Sequence, residues 1–340
     1  MMTTARSTTI WLLSSSFDTN TRTRLLFTSA GDEGQLAIDI LANTVIFQNL
    51  ERCGSVATAS SEETPTEGRA SLELHNTVDE GSMMKRICSH AALITESHLT
   101  HTLLKSTNMI DSMGGKGYSV AFDPLDGSSV IDTNFAVGSI WGIWPGDKLT
   151  GIKGRQMRAA GAAIYGPRTT ITLAIDNMDY AHEFILVDDM SAMHGQWLKS
   201  NEYTTISEGK LIAPGNLRAT QDNKGYADLF NYWMQNTYQL RYTGGFVADV
   251  NQLMVKGKGV FVNVASANTK SKLRLLYEVA PLAYLIEKAG GKSSNGVTSP
   301  LDVTITHTEQ TSQVAYGSRN EVERFEEMVG VKYLPVLENA

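Results

Sequence analysis

"YSVAFDPLDGSS" (118–129) is the stretch on which the reading of this chain turns. Tyr118–Phe122 reads as a short strand. Asp123 and Asp126 then stand three residues apart on a turn stiffened by Pro124, and Gly127, Ser128 and Ser129 follow at once. Two carboxylates held so close are costly unless a cation neutralises them or one is protonated. Hard divalent cations such as Mg²⁺ take oxygen ligands, often one or two carboxylates together with phosphate oxygens. Glycine lets an anion approach the backbone, and hydroxyls and N–H groups can hold it. The stretch can therefore carry metal on one side and phosphate on the other. The same residue types also build an ordinary capped surface turn.

Outward from this point, strands and helices alternate. Residues 136–144, 169–175 and 182–188 read as strands, rich in small and β-branched residues. Upstream, residues 34–53 place Leu36, Ile40, Phe47 and Leu50 on a helical period. Downstream, "LRLLYEVAPLAYLIEKAGG" (273–291) reads as one long apolar helix, kinked by Pro281 and capped by Gly290–Gly291. The pattern predicts a layered α/β protein. Residues 1–30 read as an N-terminal arm, 31–205 as a first domain and 206–340 as a second, with the border in the soft stretch 200–217. Residues 64–112 form a long excursion, and loops of that length are usually functional or disordered.

Composition excludes several classes. Of 340 residues, 42% are hydrophobic and 19% charged, which suits a packed core. A net charge of −7 argues against nucleic acid as a partner. No apolar run is long enough to span a membrane. The two cysteines, Cys53 and Cys88, make no disulfide framework and fit a reducing compartment. The expected location is cytoplasmic. The Ser/Thr/Arg-rich start leaves a plastid or other organelle as the alternative.

Other acids reinforce the opening turn. Asp39 lies between Ile38 and Ile40, and Glu278 lies in "LLYEVAPL", both on apolar helical patterns. Buried carboxylates are rare unless paired or bound to metal, so each is either a ligand or half of a salt bridge. Glu62–Glu63 and Asp32–Glu33 are paired acids that also fit solvated surface. Lys272 and Arg274 read as sharing about two helical turns with Glu278, and Arg241 precedes Tyr242 and two glycines. Such cations suit phosphate recognition, or a solvated basic face. His90, His98 and His101, within the excursion, read as surface or packing residues. A nucleophile elbow, a P-loop, a dinucleotide fingerprint and HExxH are all missing.

Taken together, "FDPLDGSS", "WPGDKLTG", "IYGPRTT", "PGNLRAT", "LRYTGGFVADVNQ" and "KLRLLYEVAPLAYLIEKAGG" resemble the fructose-1,6-bisphosphatase superfamily, and within it the sedoheptulose branch. The resemblance covers about residues 30–63 and 113–330. It implies an αβαβα fold, two sheets sandwiched between helix layers. It implies about two or three Mg²⁺ ions per site, with Mn²⁺ able to substitute. The implied metal ligands are Glu62, Asp123, Asp126, Glu278, the Leu125 carbonyl and Asp32. Glu63 and Asp39, with Asp126, are the implied catalytic groups. Gly127, Ser128 and Ser129 would cradle the leaving phosphate. Asn223, Tyr226, Tyr242 and Lys272 would hold the distal phosphate and sugar. Arg241 would reach across a dimer interface, and Arg274 would lie near the metals.

The implied activity is release of the C1 phosphate from sedoheptulose 1,7-bisphosphate. A fructose-1,6-bisphosphatase of relaxed specificity is the near alternative. A silent sugar-phosphate-binding scaffold is the reading from another class, supported by the excursion alone. The implied partners are a sugar bisphosphate and a second copy of the chain, in a homodimer or dimer-based tetramer. Several features depart from the family pattern. The excursion 64–112 is longer than the family needs there, Gly34 adds a residue between Asp32 and Asp39, and Asn263 replaces a sugar-contacting tyrosine. Phe246 stands where methionine is expected, on the floor of the sugar pocket. "LLFTSAGDEG" lacks the cysteine pair of plastid relatives, so a thiol switch is not expected.

Overall fold

The computed structural model describes residues 37–53, 56–63, 117–187 and 195–330. Asp32, His90, His98, His101, Cys88 and the excursion itself lie outside these residues. The first sheet has seven strands: β1 (Val56–Ser61), β2 (Tyr118–Asp126), β3 (Val137–Pro145), β5 (Ala159–Tyr165), β6 (Thr169–Ile175), β7 (Ala181–Leu186) and β8 (Trp197–Tyr203), in that spatial order. β1 runs parallel to β2, and every later pairing is antiparallel. A two-residue strand, β4 (Ile152–Lys153), pairs apart from this sheet with β13 (Thr304–Ile305).

The second sheet runs β10 (Gln239–Leu240), β9 (Ser207–Gly215), β11 (Lys258–Asn263), β14 (Val314–Gly317) and β12 (Lys292–Ser294). The stretch 200–217, read as soft, is thus mostly strand: β8 closes one sheet and β9 lies inside the other, with only 204–206 between them. Polar residues on an exposed strand face gave it the composition of a linker.

Five helices complete the described layers: α1 (Ala37–Cys53), α2 (Lys224–Gln235), α3 (Phe246–Lys256), α4 (Ala280–Lys288) and α5 (Arg319–Phe325). Strand periodicity assigns them to faces. On β2, Val120 and Phe122 face Ile46, Phe47 and Leu50 of α1, while Ala121 faces the interior with α3 and α4. On β11, Phe261 faces that interior, and Val260 and Val262 face α2 and α5 through Tyr226, Leu229, Trp233, Val322 and Phe325. The order is α1, sheet, α3 with α4, sheet, α2 with α5. The expected αβαβα sandwich is present.

The central layer is the best buried. Phe246, Phe261 and Tyr316 pack together with ring centroids 5.1–6.2 Å apart. Phe246 is therefore a core residue. Burying each such ring contributes about 1.5–3 kcal/mol. Gly161 answers to packing as well: a Cβ there would lie 2.2 Å from Trp141 Cζ2 across the strand pair.

Two helices differ from the sequence reading. In α1 the buried face runs Ile38, Ala42, Ile46 and Leu50, and Ile40 is exposed. The sheet beneath selects this face and turns Asp39 inward. The long helix over 273–291 is broken. Lys272–Arg274 is not helical, Leu275–Val279 forms a single π-turn, and α4 starts at Ala280. Pro281 falls in the first turn of α4, where an N–H has no intrahelical partner to lose. At the far end Gly290 has φ +81, and Gly290 and Gly291 donate to Glu287 and Ile286 carbonyls, the expected cap.

Candidate active site

β2 does not stop at Phe122. It runs on to Asp126, so both aspartates lie within the strand and the turn follows at Gly127. Asp123 pairs with Ile140 and Asp126 with Gly138, three steps on β2 against two on β3. This bulge falls at Pro124–Leu125 because proline has no N–H to give the ladder. The Leu125 N–H donates to Asp123 Oδ1 at 2.9 Å, and Ser139 Oγ donates to the Pro124 carbonyl at 2.8 Å. Gly127 has φ +84, a conformation that disfavours a side chain, and it opens a short 3₁₀ helix, Ser128–Thr133. Ser128 is half-buried and Ser129 exposed.

Three elements converge on the bulge. Glu62 follows β1, with its N–H donating to the Phe122 carbonyl at 3.1 Å. Glu278 sits in the π-turn, a geometry often found at functional sites. Glu62, Asp123 and Glu278 each bring a carboxylate oxygen within 4.8 Å of the others. Two full charges at that spacing repel by about 3 kcal/mol at an effective dielectric of about 20. The acids respond accordingly. Asp123 is pushed well up, first by burial and then by Asp126, Glu278 and Glu63. Burial pushes Glu278 up to about 8 and Asp126 up to about 7, against hydrogen bonds from Arg274 N–H and Val247 N–H respectively. A largely buried, oxygen-only donor set, in which Asp123 and Glu278 are pushed toward their protonated forms, fits a divalent cation, which would relieve the repulsion.

Arg274 borders the cluster. Its guanidinium pairs with Glu62 and also donates from Nε to Glu309 Oε2 at 3.2 Å. Its N–H donates to Glu278 Oε2 at 2.6 Å. Glu63 is half-buried beside Glu62. Asp39 is buried near the start of α1, and its neighbour Ile38 packs on Leu125 of the bulge.

The residues expected to bind the distal phosphate divide into two groups. Arg241, Tyr242 and Lys272 are exposed. Partial burial of the ring nonetheless raises the Tyr242 hydroxyl, helped by the nearby charges of Asp249 and Asp126. Asn223 and Tyr226 are fully buried. Asn223 caps α2, accepting from Tyr226 N–H at 3.0 Å and donating to the Ala265 carbonyl at 3.3 Å, and Tyr226 Oη donates to the Gly215 carbonyl at 2.6 Å.

Sequence reasoning missed four contributors. Glu309 holds Arg274 from a distant loop. Ser60 and Tyr277, with hydroxyls 2.7 Å apart, join β1 to the π-turn. Asp249 is buried among apolar residues of α3. Only Asp249 left a trace in the sequence, an acid inside "FVADV", the same signal that marked Asp39 and Glu278.

Comparison with known proteins places this arrangement. The family model "Fructose-1-6-bisphosphatase, N-terminal domain" matches residues 90–202, and its C-terminal counterpart matches 205–330. The chain is 48% identical to the chloroplastic sedoheptulose-1,7-bisphosphatase of Spinacia oleracea over 87% of its own length and 65% of the relative's, just under two thirds. It is 32% identical to the class 1 fructose-1,6-bisphosphatase of Pelobacter propionicus, over 85% of this chain and 75% of that one. The holo crystal structure of Leishmania major fructose-1,6-bisphosphatase superposes with a TM-score of 0.69 at 27% identity, over 91% of this chain and 87% of that one. Among the described residues no helix is long and apolar enough to cross a membrane. The carboxylate cluster, the five layers and the two matched domains agree, and the chain belongs to the fructose-1,6-bisphosphatase family.

Proposed function

We propose that this protein is a Mg²⁺-dependent phosphatase that removes the C1 phosphate of sedoheptulose 1,7-bisphosphate, leaving sedoheptulose 7-phosphate. The observation that carries the reading is the meeting of Glu62, Asp123 and Glu278 beside the Gly127–Ser129 turn. The 48% identity to a sedoheptulose-1,7-bisphosphatase supports the choice of sugar.

Glu62, Asp123, Asp126, Glu278 and the Leu125 carbonyl would hold the cations, with Asp32 as a further ligand. When bound, divalent cations acidify water and neutralise charge on phosphoryl oxygens. Gly127, Ser128 and Ser129 hold the scissile phosphate with N–H groups and hydroxyls. Glu63 and Asp39 orient the attacking water in line with the leaving oxygen and accept its proton. Arg274, released from Glu62, offers its charge to the phosphate. Arg241, Tyr242 and Lys272 bind the distal phosphate and sugar. Arg241 completes the site of a second copy in a homodimer, or in a tetramer of such dimers. Three relatives described as chloroplastic favour a plastid location over the cytoplasmic one.

The sugar assignment is tested by kcat/KM on sedoheptulose 1,7-bisphosphate and fructose 1,6-bisphosphate. A ratio favouring the seven-carbon sugar is expected. Preference for the six-carbon sugar would reassign the enzyme to the fructose reaction.

A further inference from the structure

We propose that Asp249 is a positioning residue that sets the spacing between the two phosphate-holding parts of the site. The inference rests on the bisphosphatase reading. Asp249 lies in the first turn of α3 and is fully buried. Its carboxylate does not enter the metal cluster. It turns back to the loop 241–245. Oδ1 accepts from Thr243 N–H at 2.8 Å and from Thr243 Oγ1 at 3.0 Å, and Oδ2 accepts from Gly244 N–H at 3.1 Å. Gln252, one turn later, donates to the Arg241 carbonyl at 3.1 Å and to Asp249 Oδ1 at 3.4 Å. The helix thus grips the loop by its backbone, while the side chains of Arg241 and Tyr242 stay exposed.

The same helix turn is tied to the other half of the site. Val247 N–H donates to Asp126 Oδ2 at 2.6 Å. The leaving-phosphate turn is seated on the gripped loop: a Cβ on Gly127 would lie 3.5 Å from Gly245 Cα, and one on Gly244 would lie 3.5 Å from Val130 Cγ1. The first turn of α3 is therefore a spacer with Asp126 and Gly127 on one side and Arg241 and Tyr242 on the other. A buried carboxylate suits this position because four donors converge on it. An amide offers only one oxygen, and its NH₂ would face N–H donors. Loosening the loop should weaken the distal grip and leave the metal side intact.

The test is steady-state kinetics of Asp249→Asn, Thr243→Val and Gln252→Ala with sedoheptulose 1,7-bisphosphate and Mg²⁺. For Asp249→Asn, KM should rise about tenfold, with kcat and the half-activating Mg²⁺ concentration held within about twofold. Thr243→Val and Gln252→Ala should shift KM the same way by about threefold. A residue that only stabilised the fold would lower kcat or Tm without moving KM. A fall in kcat at unchanged KM, or a rise in Mg²⁺ requirement alongside KM, overturns the proposal. If Asp249→Asn does not fold, the other two variants decide, and unchanged KM in both overturns it. If the wild type hydrolyses neither bisphosphate, the functional reading has failed separately. Calorimetric Kd values for the bisphosphate then read the same spacing, with about tenfold weakening expected for Asp249→Asn and an unchanged Kd overturning it.

Discussion

Asp126 Oδ2 accepts the Val247 N–H at 2.6 Å, which joins the end of β2 to the first turn of α3. A carboxylate at a helix start is favoured by the helix dipole as well as by the hydrogen bond. One oxygen is thereby fixed. In Asp126→Asn the side-chain carbonyl can still accept from Val247, so the fold is kept and the charge is lost. Turnover should fall by at least about 100-fold, because ligands matter no less than their supporting partners. Near wild-type activity at saturating Mg²⁺ would remove Asp126 from the metal site.

Metal-free protein should lose stability as pH rises. Glu278 is raised from 4.5 to about 8 and Asp126 from 3.8 to about 7. Below pH about 4 both folded and unfolded chains carry these protons. Between there and pH about 8 the unfolded chain releases them first, so the folded state is progressively disfavoured. Thermal melts in EDTA should therefore show Tm falling from pH 5.5 to 8.5, with Mg²⁺ restoring it at the upper end. Asp123→Asn should flatten the EDTA profile and reduce the Mg²⁺ response. A flat wild-type profile would argue that the acids are not crowded in solution.

Lys272 is exposed, just before the π-turn. A distal phosphate is bound alike in the ground and transition states, so Lys272→Ala should raise KM with kcat nearly unchanged. One charged hydrogen bond predicts a rise of about tenfold. A drop in kcat at constant KM would move Lys272 to the reacting phosphate.

Arg241→Ala should weaken substrate binding by a similar factor. If the arginine serves a neighbouring copy, mixing this variant with Asp126→Asn should restore part of the activity in verified heterodimers. Heterodimers with no recovery would place Arg241 within its own chain's site.

Much of this was legible in local sequence. β6 (169–175) was readable because β-branched residues fill it, and the layered class followed from alternating elements. Asp123 and Asp126 stood out as two acids three residues apart before Gly127, and Glu278 as an acid within an apolar helical pattern. What local sequence could not show was set by contacts far along the chain. The bulge at Pro124 becomes visible only when β2 is paired with β3. The face of α1 depends on the sheet under it, which buries Asp39 and exposes Ile40. The π-turn around Glu278 depends on anchors outside its own segment, namely Ser60 to Tyr277 and Glu309 to Arg274. Asn223 and Tyr226 were implied as ligands by the resemblance alone, and local sequence could not show that Asn223 caps α2 and that the Tyr226 hydroxyl donates to the Gly215 carbonyl.

The central claim is that the carboxylate cluster runs a metal-dependent bisphosphatase. The most direct measurement is phosphate release from sedoheptulose 1,7-bisphosphate by the folded protein, with Mg²⁺ and with EDTA. The account predicts release with Mg²⁺ and none above background with EDTA. Release that persists in EDTA, or no release in either condition, would contradict it, and the second result would bring forward a sugar-phosphate-binding scaffold.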